Sequence, residues 1–206
     1  AYNITTLLPE ISHGFNLGYH YQASAQVWTW EINLFYNDIQ NLINYLPVAV
    51  QPNSTYVFSY KNTKRAFTSG IECNVSGLIG KKITWSAGYQ FLFTGEQATV
   101  KALMEDKVFG RKSPTGSAEI MSLRDYTGLL GRSPHMANVK CEYTFPKQNF
   151  SINARAIYRG RWGVVDLDGN GFANMNEEFA TGFVNMNLTA QKTIKKIYTV
   201  QLNALN

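Results

Sequence analysis

The run Asp166-Leu167-Asp168-Gly169-Asn170-Gly171-Phe172-Ala173-Asn174-Met175-Asn176-Glu177 carries the most chemically suggestive spacing in this chain. It satisfies D-x-[DN]-x-[DN]-G-x5-E at every position. Calcium is a hard cation that wants several oxygen ligands around a sharply turned loop. Asp166, Asp168 and Asn170 would supply side-chain oxygens, and Gly171 the turn. Phe172 would supply its carbonyl, Asn174 a water-bridged contact and Glu177 a bidentate carboxylate. The flanking segments carry strand periodicity, which argues against an EF-hand helix pair, although a loop can bind Ca2+ without one. Such an ion would stiffen the loop rather than be cargo. Asp-Gly-Asn-Gly also suits ordinary turns, so the sequence leaves both a calcium loop and a plain polar loop open.

Other reactive residue types form no set. His13, His20 and His135 share no ligand spacing. Glu105 with Asp106, and Glu177 with Glu178, are adjacent carboxylates without a neighbouring His or nucleophile. Neither G-x-S-x-G nor C-x-x-C occurs, so no enzyme activity is expected. Cys73 and Cys141 each lie on the apolar face of a strand, with another strand between them. That places them about two ~4.8 Å spacings apart, too far for a disulfide.

The elements that would hold these residues are strands. Trp28, Trp30, Ile32, Leu34 and Tyr36 alternate with Thr29, Glu31 and Asn33. Phe150, Ile152, Ala154, Ala156 and Tyr158 alternate with Ser151, Asn153 and Arg155. A period of two gives a strand one apolar and one polar face. Eight such stretches are expected, at 12–22, 26–41, 64–77, 82–94, 134–145, 149–162, 181–191 and 196–205. Turns at 23–25, 78–81, 146–148 and 192–195 are short. Connections at about 42–63, 95–133 and 163–180 are long, the first with a hairpin near Tyr56–Tyr60 and the second with a helical turn near Ala102–Asp106. Short turns then share one side and long loops the other, the habit of transmembrane β-barrels. The expected fold is all-β: an antiparallel up-and-down meander of about eight strands, part of a large transmembrane barrel. Its apolar faces would meet outer-membrane lipid. Glu31, Glu72, Glu142 and Arg155 would face the lumen.

Composition agrees. Among the 206 residues are twelve Tyr and twelve Phe, and no apolar run approaches the ~18 residues of a membrane helix. The net charge of +5 is spread over loops, turns and strand ends. It forms no compact stripe with stacking aromatics, so nucleic acid is not an expected partner. Lysines snorkelling at a membrane interface account for these residues more simply.

Several segments resemble one family. Leu8-Pro9-Glu10-Ile11-Ser12, running into Phe15-Asn16-Leu17-Gly18-Tyr19, resembles the "KPE-S" entry to a late barrel strand of TonB-dependent outer-membrane receptors. Leu34-Phe35-Tyr36-Asn37-Asp38-Ile39 followed by Asn41-Leu42-Ile43 is similar to their "FYNDI…LI" strand end. Thr68-Ser69-Gly70-Ile71-Glu72 resembles "T-GVE", and Gly131-Arg132-Ser133-Pro134-His135 resembles "G-RSPH". Val200-Gln201-Leu202-Asn203-Ala204-Leu205-Asn206 approximates "V-NL". The segments keep the family's order from residue 8 to the end.

The resemblance implies a barrel of about 22 strands around an internal plug, in the outer membrane of a Gram-negative bacterium. It also implies TonB-energised uptake of a scarce small molecule such as an iron chelate, haem or cobalamin. On this reading residues 1–206 are a C-terminal portion of the barrel, without plug, early strands or last strand. Its partners would be lipid, the remainder of its barrel and plug, TonB through that plug, and an extracellular small-molecule ligand. A passive porin and a soluble β-structured binding module are the alternatives.

Overall fold

The structure is a computed structural model that describes residues 7–23, 27–50, 56–62 and 64–206. Its elements in chain order are β1 (Ile11–Gln22), β2 (Trp28–Gln40), β3 (Ile43–Val50), β4 (Tyr56–Asn62), β5 (Ala66–Ile79) and β6 (Ile83–Glu96). Next come α1 (Gln97–Met104), β7 (Phe109–Gly110), β8 (Glu119–Ile120), β9 (His135–Phe145) and β10 (Phe150–Arg159). β11 (Trp162–Gly163), β12 (Phe179–Ala180), β13 (Phe183–Ile194) and β14 (Tyr198–Leu205) complete the chain. One eight-stranded sheet runs β1-β2-β5-β6-β9-β10-β13-β14. All its pairs are antiparallel, so the expected all-β meander is the observed fold.

Register carries the sequence alternation straight across the sheet. Ile32 pairs with Cys73, Cys73 with Tyr89, Tyr89 with Ala137, Ala137 with Tyr158 and Tyr158 with Val184. One residue away on β2, Glu31 pairs with Asn74, which leads through Gly88 and Asn138 to Ile157 and Asn185. A single slip would exchange the two faces. Among the described residues nothing covers the apolar face: Phe15 is 67% exposed and Leu202 71%. A contiguous apolar surface of this extent marks a partner or a membrane. Among the described residues, no helix is long and apolar enough to cross a membrane.

The short connections lie on one side. Gly80 turns β5 into β6 with φ +61°, and a 3-10 turn at Pro146–Gln148 joins β9 to β10. Lys195 and Lys196, both left-handed, join β13 to β14. The expected turn at 23–25 lies mostly outside the described residues. On the other side, β3 and β4 form a hairpin longer than anticipated, with a register shift between Pro47 and Ala49. Its tip, residues 51–55, is outside the described residues.

The 95–133 connection departs most from expectation, because it is substantially built. Its helix spans Gln97–Met104 rather than 102–106. Val100 and Leu103 are three apart and share a face, and this outweighs the weak helix signal of so short a segment. Asp106 then takes φ +54°, its amide and that of Lys107 closing on Leu103 and Ala102. The two cysteines stay free and do not share a register row: Cys73 faces Tyr89 and Cys141 faces Trp85 on β6.

Candidate functional site at the loop end

The described apolar residues that are buried lie at the loop end, not beneath the strands: Leu42, Ala66, Leu103, Met121, Tyr126, Phe172, Ala173 and Met175. Leu103 from α1, Met121 and Tyr126 from the same connection, and Phe172 from the β10–β13 connection form one cluster. Phe93, Val100 and Val108 pack around it. The Tyr126 ring meets Phe172 edge-on at 5.1 Å and Phe93 at 6.3 Å. Burial pushes the Tyr126 hydroxyl up to about 12, and its oxygen accepts the Glu96 amide. Phe93 continues the outward row of Tyr89 and Phe91, and it touches Phe67 of β5. This small core is therefore anchored on the apolar side of the rim.

Backbone contacts tie the two connections further. Thr127 Oγ1 donates to the Ala173 carbonyl. The Asn174 side-chain amide donates to the Arg111 carbonyl at 2.6 Å, and the Gly131 amide to the Gly163 carbonyl at 2.7 Å. Asp38, at the end of β2, accepts from Arg65 Nε at 2.7 Å and from Gln97 Nε2 at 3.2 Å, which pins the head of α1. Two loops that look separate in sequence are one folded body.

Within this body the acidic loop is ordered by its own carboxylates. Asp166 accepts the amides of Gly169 at 2.8 Å, Asn170 at 3.1 Å and Gly171 at 2.8 Å. Asp168 accepts the Arg111 amide at 2.7 Å. Asn170 donates its side-chain amide to Asn174 Oδ1, and its own Oδ1 accepts the Phe172 amide. Phe172 is fully buried, its ring in the shared core.

The twelfth position does not join the others. Glu177 is exposed, and Glu178 is the residue that turns inward, fully buried. Glu178 accepts the amides of Leu167 at 2.6 Å, Asn174 at 2.6 Å and Met175 at 2.8 Å. In an EF-hand the exit is helical and brings position twelve back to the loop. Here the exit is a 3-10 turn at Asn176–Glu178 entering β12, and that rotation presents the thirteenth residue instead. Carboxylate oxygens of Asp166, Asp168 and Glu178 lie within 4.8 Å of one another. Burial pushes the Asp166 carboxyl above the ordinary carboxylate range. The amides of Gly171, Gly169 and Asn170 oppose this, and a hydrogen bond with Asp168 adds to it.

The histidines stay apart. His20 faces the polar side, with Nδ1 3.2 Å from Glu31. His135 is on the apolar side, with Nδ1 2.7 Å from the Tyr89 hydroxyl and its ring 5.3 Å from Phe91. His13 pairs in register with Asp38. On the polar side, a groove of about 430 Å³ runs along Asn33, Asn37, Glu72 and Gln90. Arg132 reaches it from the β6–β9 connection. Gln90 donates to Glu72 at 2.8 Å there. Nothing local to Arg132 indicated that it reaches this groove; its place in the family-like Gly131–His135 segment was the signal the sequence offered.

The topology, two-faced sheet and loop body describe a barrel wall, and a family model supplies the identity. The model for "TonB dependent receptor-like, beta-barrel" matches residues 1–206. The chain belongs to the TonB-dependent receptor β-barrel family. Several solved receptors share the fold of this TonB-dependent receptor segment. The copper transporter OprC superposes with TM-score 0.64 at 13% identity, over 98% of this chain and 26% of that one. The ferric enterobactin receptor PfeA from Pseudomonas aeruginosa gives 0.61 at 14%, over 96% and 25%. The ferric-catecholate import receptor Fiu from E. coli K12 gives 0.58 at 18%, over 100% and 24%. The chain thus spans about a quarter of the length of these receptors. No curated protein matches it. Members of this family are outer-membrane β-barrel proteins, and these neighbours are a copper transporter, a ferric enterobactin receptor and a ferric-catecholate import receptor.

Proposed function

We propose that this segment supplies barrel wall and extracellular loops to an outer-membrane receptor. That receptor takes up a scarce ligand, such as an iron chelate, haem or cobalamin, by TonB-dependent transport, and it is not an enzyme. On this reading residues 1–206 are a C-terminal part of the barrel, completed by further strands and by a plug that TonB engages. The observation that carries the reading is the segregation of the sheet. Its apolar face is uncovered among the described residues, its other face is polar, and its three long connections share one end. A closed, lipid-surrounded barrel would satisfy the β1 and β14 edges and that apolar face together, which supports the reading.

The test uses cells with and without the full-length protein. Each is supplied with single ferric chelates, haem or cobalamin as the limiting source. Growth that needs both the protein and a proton-motive force supports the reading. Uptake that persists in de-energised cells would make it a passive porin, and recovery from the soluble fraction would make it a binding module.

A second reading concerns the acidic loop. The convergence of Asp166, Asp168 and Glu178 supports a Ca2+ ion that stiffens the loop body, with Asn170, the Phe172 carbonyl and Asn174 as further oxygens. Glu178 takes the place first assigned to Glu177. Isothermal titration of the full-length protein with Ca2+, before and after Asp168→Asn, tests it; no heat in either protein would end it.

A further inference from the structure

Net charge is unevenly placed along the strand direction. The loop end carries eleven Lys and Arg residues against eleven Asp and Glu, and so is neutral. The wall carries Lys140 and Arg155 against Glu31, Glu72 and Glu142. The short-turn end carries Lys81, Lys82, Lys147, Lys192, Lys195 and Lys196 and no acid. The whole excess of +5 therefore originates at that rim. All six lysines are exposed, and among the described residues none pairs with a carboxylate.

Two further observations indicate what these charges meet. Lys192 sits on the apolar face itself, in register with Phe150 on one side and Val200 on the other. Its neighbours form an aromatic collar, with Tyr143 4.4 Å from Phe145 and Phe145 5.4 Å from Phe150. A lysine rooted among lipid-facing aromatics extends its ammonium to the headgroup layer just beyond the hydrocarbon. Secondly, Lys195 and Lys196 occupy consecutive left-handed positions, φ +51° and +59°, at the centre of the Ile194–Ile197 β-turn that joins β13 to β14. Such turns favour Asn-Gly. Two lysines there break a local rule, as sequences do where a residue serves something other than the fold.

We propose that the short-turn rim is a binding surface for the anionic phospholipid headgroups of the leaflet it faces. The proposal rests on the membrane-embedded reading above. Phosphate diesters at the edge of the hydrocarbon match the position of the ammonium groups. An acidic protein partner would not require Lys192 to emerge from the apolar face.

The test reconstitutes the full-length receptor in phosphatidylcholine vesicles. Spin-labelled phosphatidylglycerol or spin-labelled phosphatidylcholine is added, and the motionally restricted fraction of each is measured. A lysine at an anionic surface favours it roughly fivefold. Averaged over all boundary lipids, K192Q/K195Q/K196Q should lower the phosphatidylglycerol preference at least about twofold. K192R/K195R/K196R should retain it, and ~1 M salt should abolish it. Heat-modifiable electrophoretic migration checks that each variant is folded. An unchanged preference in the glutamine variant overturns the proposal, as does one that survives high salt. Capture of an acidic protein by the lysines with lipid preference unchanged also overturns it. Failure of the receptor to enter either vesicle defeats the membrane reading itself, a result distinguishable from equal lipid preference after insertion.

Discussion

Phe172→Ala is the most informative single substitution. The Phe172 ring is fully buried and lies edge-on to Tyr126, in a cluster whose other members come from a different connection. Truncating a buried Phe to Ala costs about 3–5 kcal/mol. Each ~1.4 kcal/mol is a factor of ten, so local opening should rise by about 10² to 10⁴-fold. The wall does not depend on this cluster, because its strands are held by their ladders and surroundings. Hydrogen exchange on the full-length receptor in detergent should therefore show amides in 97–134 and 160–182 losing protection together. Strand amides should be unchanged. Phe172→Leu, which keeps most of the volume, should produce the same pattern at roughly 1–2 kcal/mol. If only the 160–182 peptides accelerate, the two connections are not one body and the reasoning fails.

Glu178→Gln and Glu177→Gln separate two neighbours of the same chemistry. Glu178→Gln weakens three charge-assisted bonds from a fully buried carboxylate to loop amides and should destabilise the loop by about 2–4 kcal/mol. Glu177→Gln should stay within about 0.5 kcal/mol; limited proteolysis between 160 and 182 ranks the two. Asp166 gives a pH dependence. Its folded carboxyl lies above its unfolded value, so its contribution to loop stability is full below the unfolded value and is lost as pH rises through the raised one. Ca2+ should replace the proton, so loop protection at pH 7.5 should recover with Ca2+ and fall with a chelator; indifference to both sinks the cation reading. Gly70→Ala drives a Cβ into the Phe91 carbonyl and to 2.8 Å from the Phe35 ring. Backbone cannot yield cheaply there, so we expect less heat-modifiable barrel in outer-membrane fractions, whereas Gly80→Asn at an open turn should be tolerated.

Alternation alone made the wall legible. Side chains on β2, β6 and β10 repeat with period two, and each neighbour repeats the pattern, so face and order follow from local residues. The Gly of Thr68-Ser69-Gly70-Ile71-Glu72 was visible as part of a family-like segment, but its reason was not. Phe35, from an adjacent strand, lies over it. The loop body was illegible for the same kind of reason: Leu103 and Phe172 are far apart in sequence, and nothing local to either names the other. The acidic motif was found because its early positions are local. Glu177 was expected to close the motif, whereas in the structure Glu178 turns inward, because the exit geometry depends on the 3-10 turn and the β11–β12 pairing. The short turns were placed on one side by the sequence, but their charge read as spread; it stands out at one rim only when the observed element bounds show that the loop end is neutral.

The core shared by the two long connections also bears on how such a receptor can change over generations. Exchanging one connection for a relative's would remove either the Phe172 plug or the Leu103 and Met121 socket, and would strand its counterpart. The pair should therefore be inherited and recombined as a single cassette. Grafts should succeed when 97–134 and 160–182 travel together, and sequence drift in one should be matched by drift in the other. The β3–β4 hairpin, outside that core, should be free to diversify on its own.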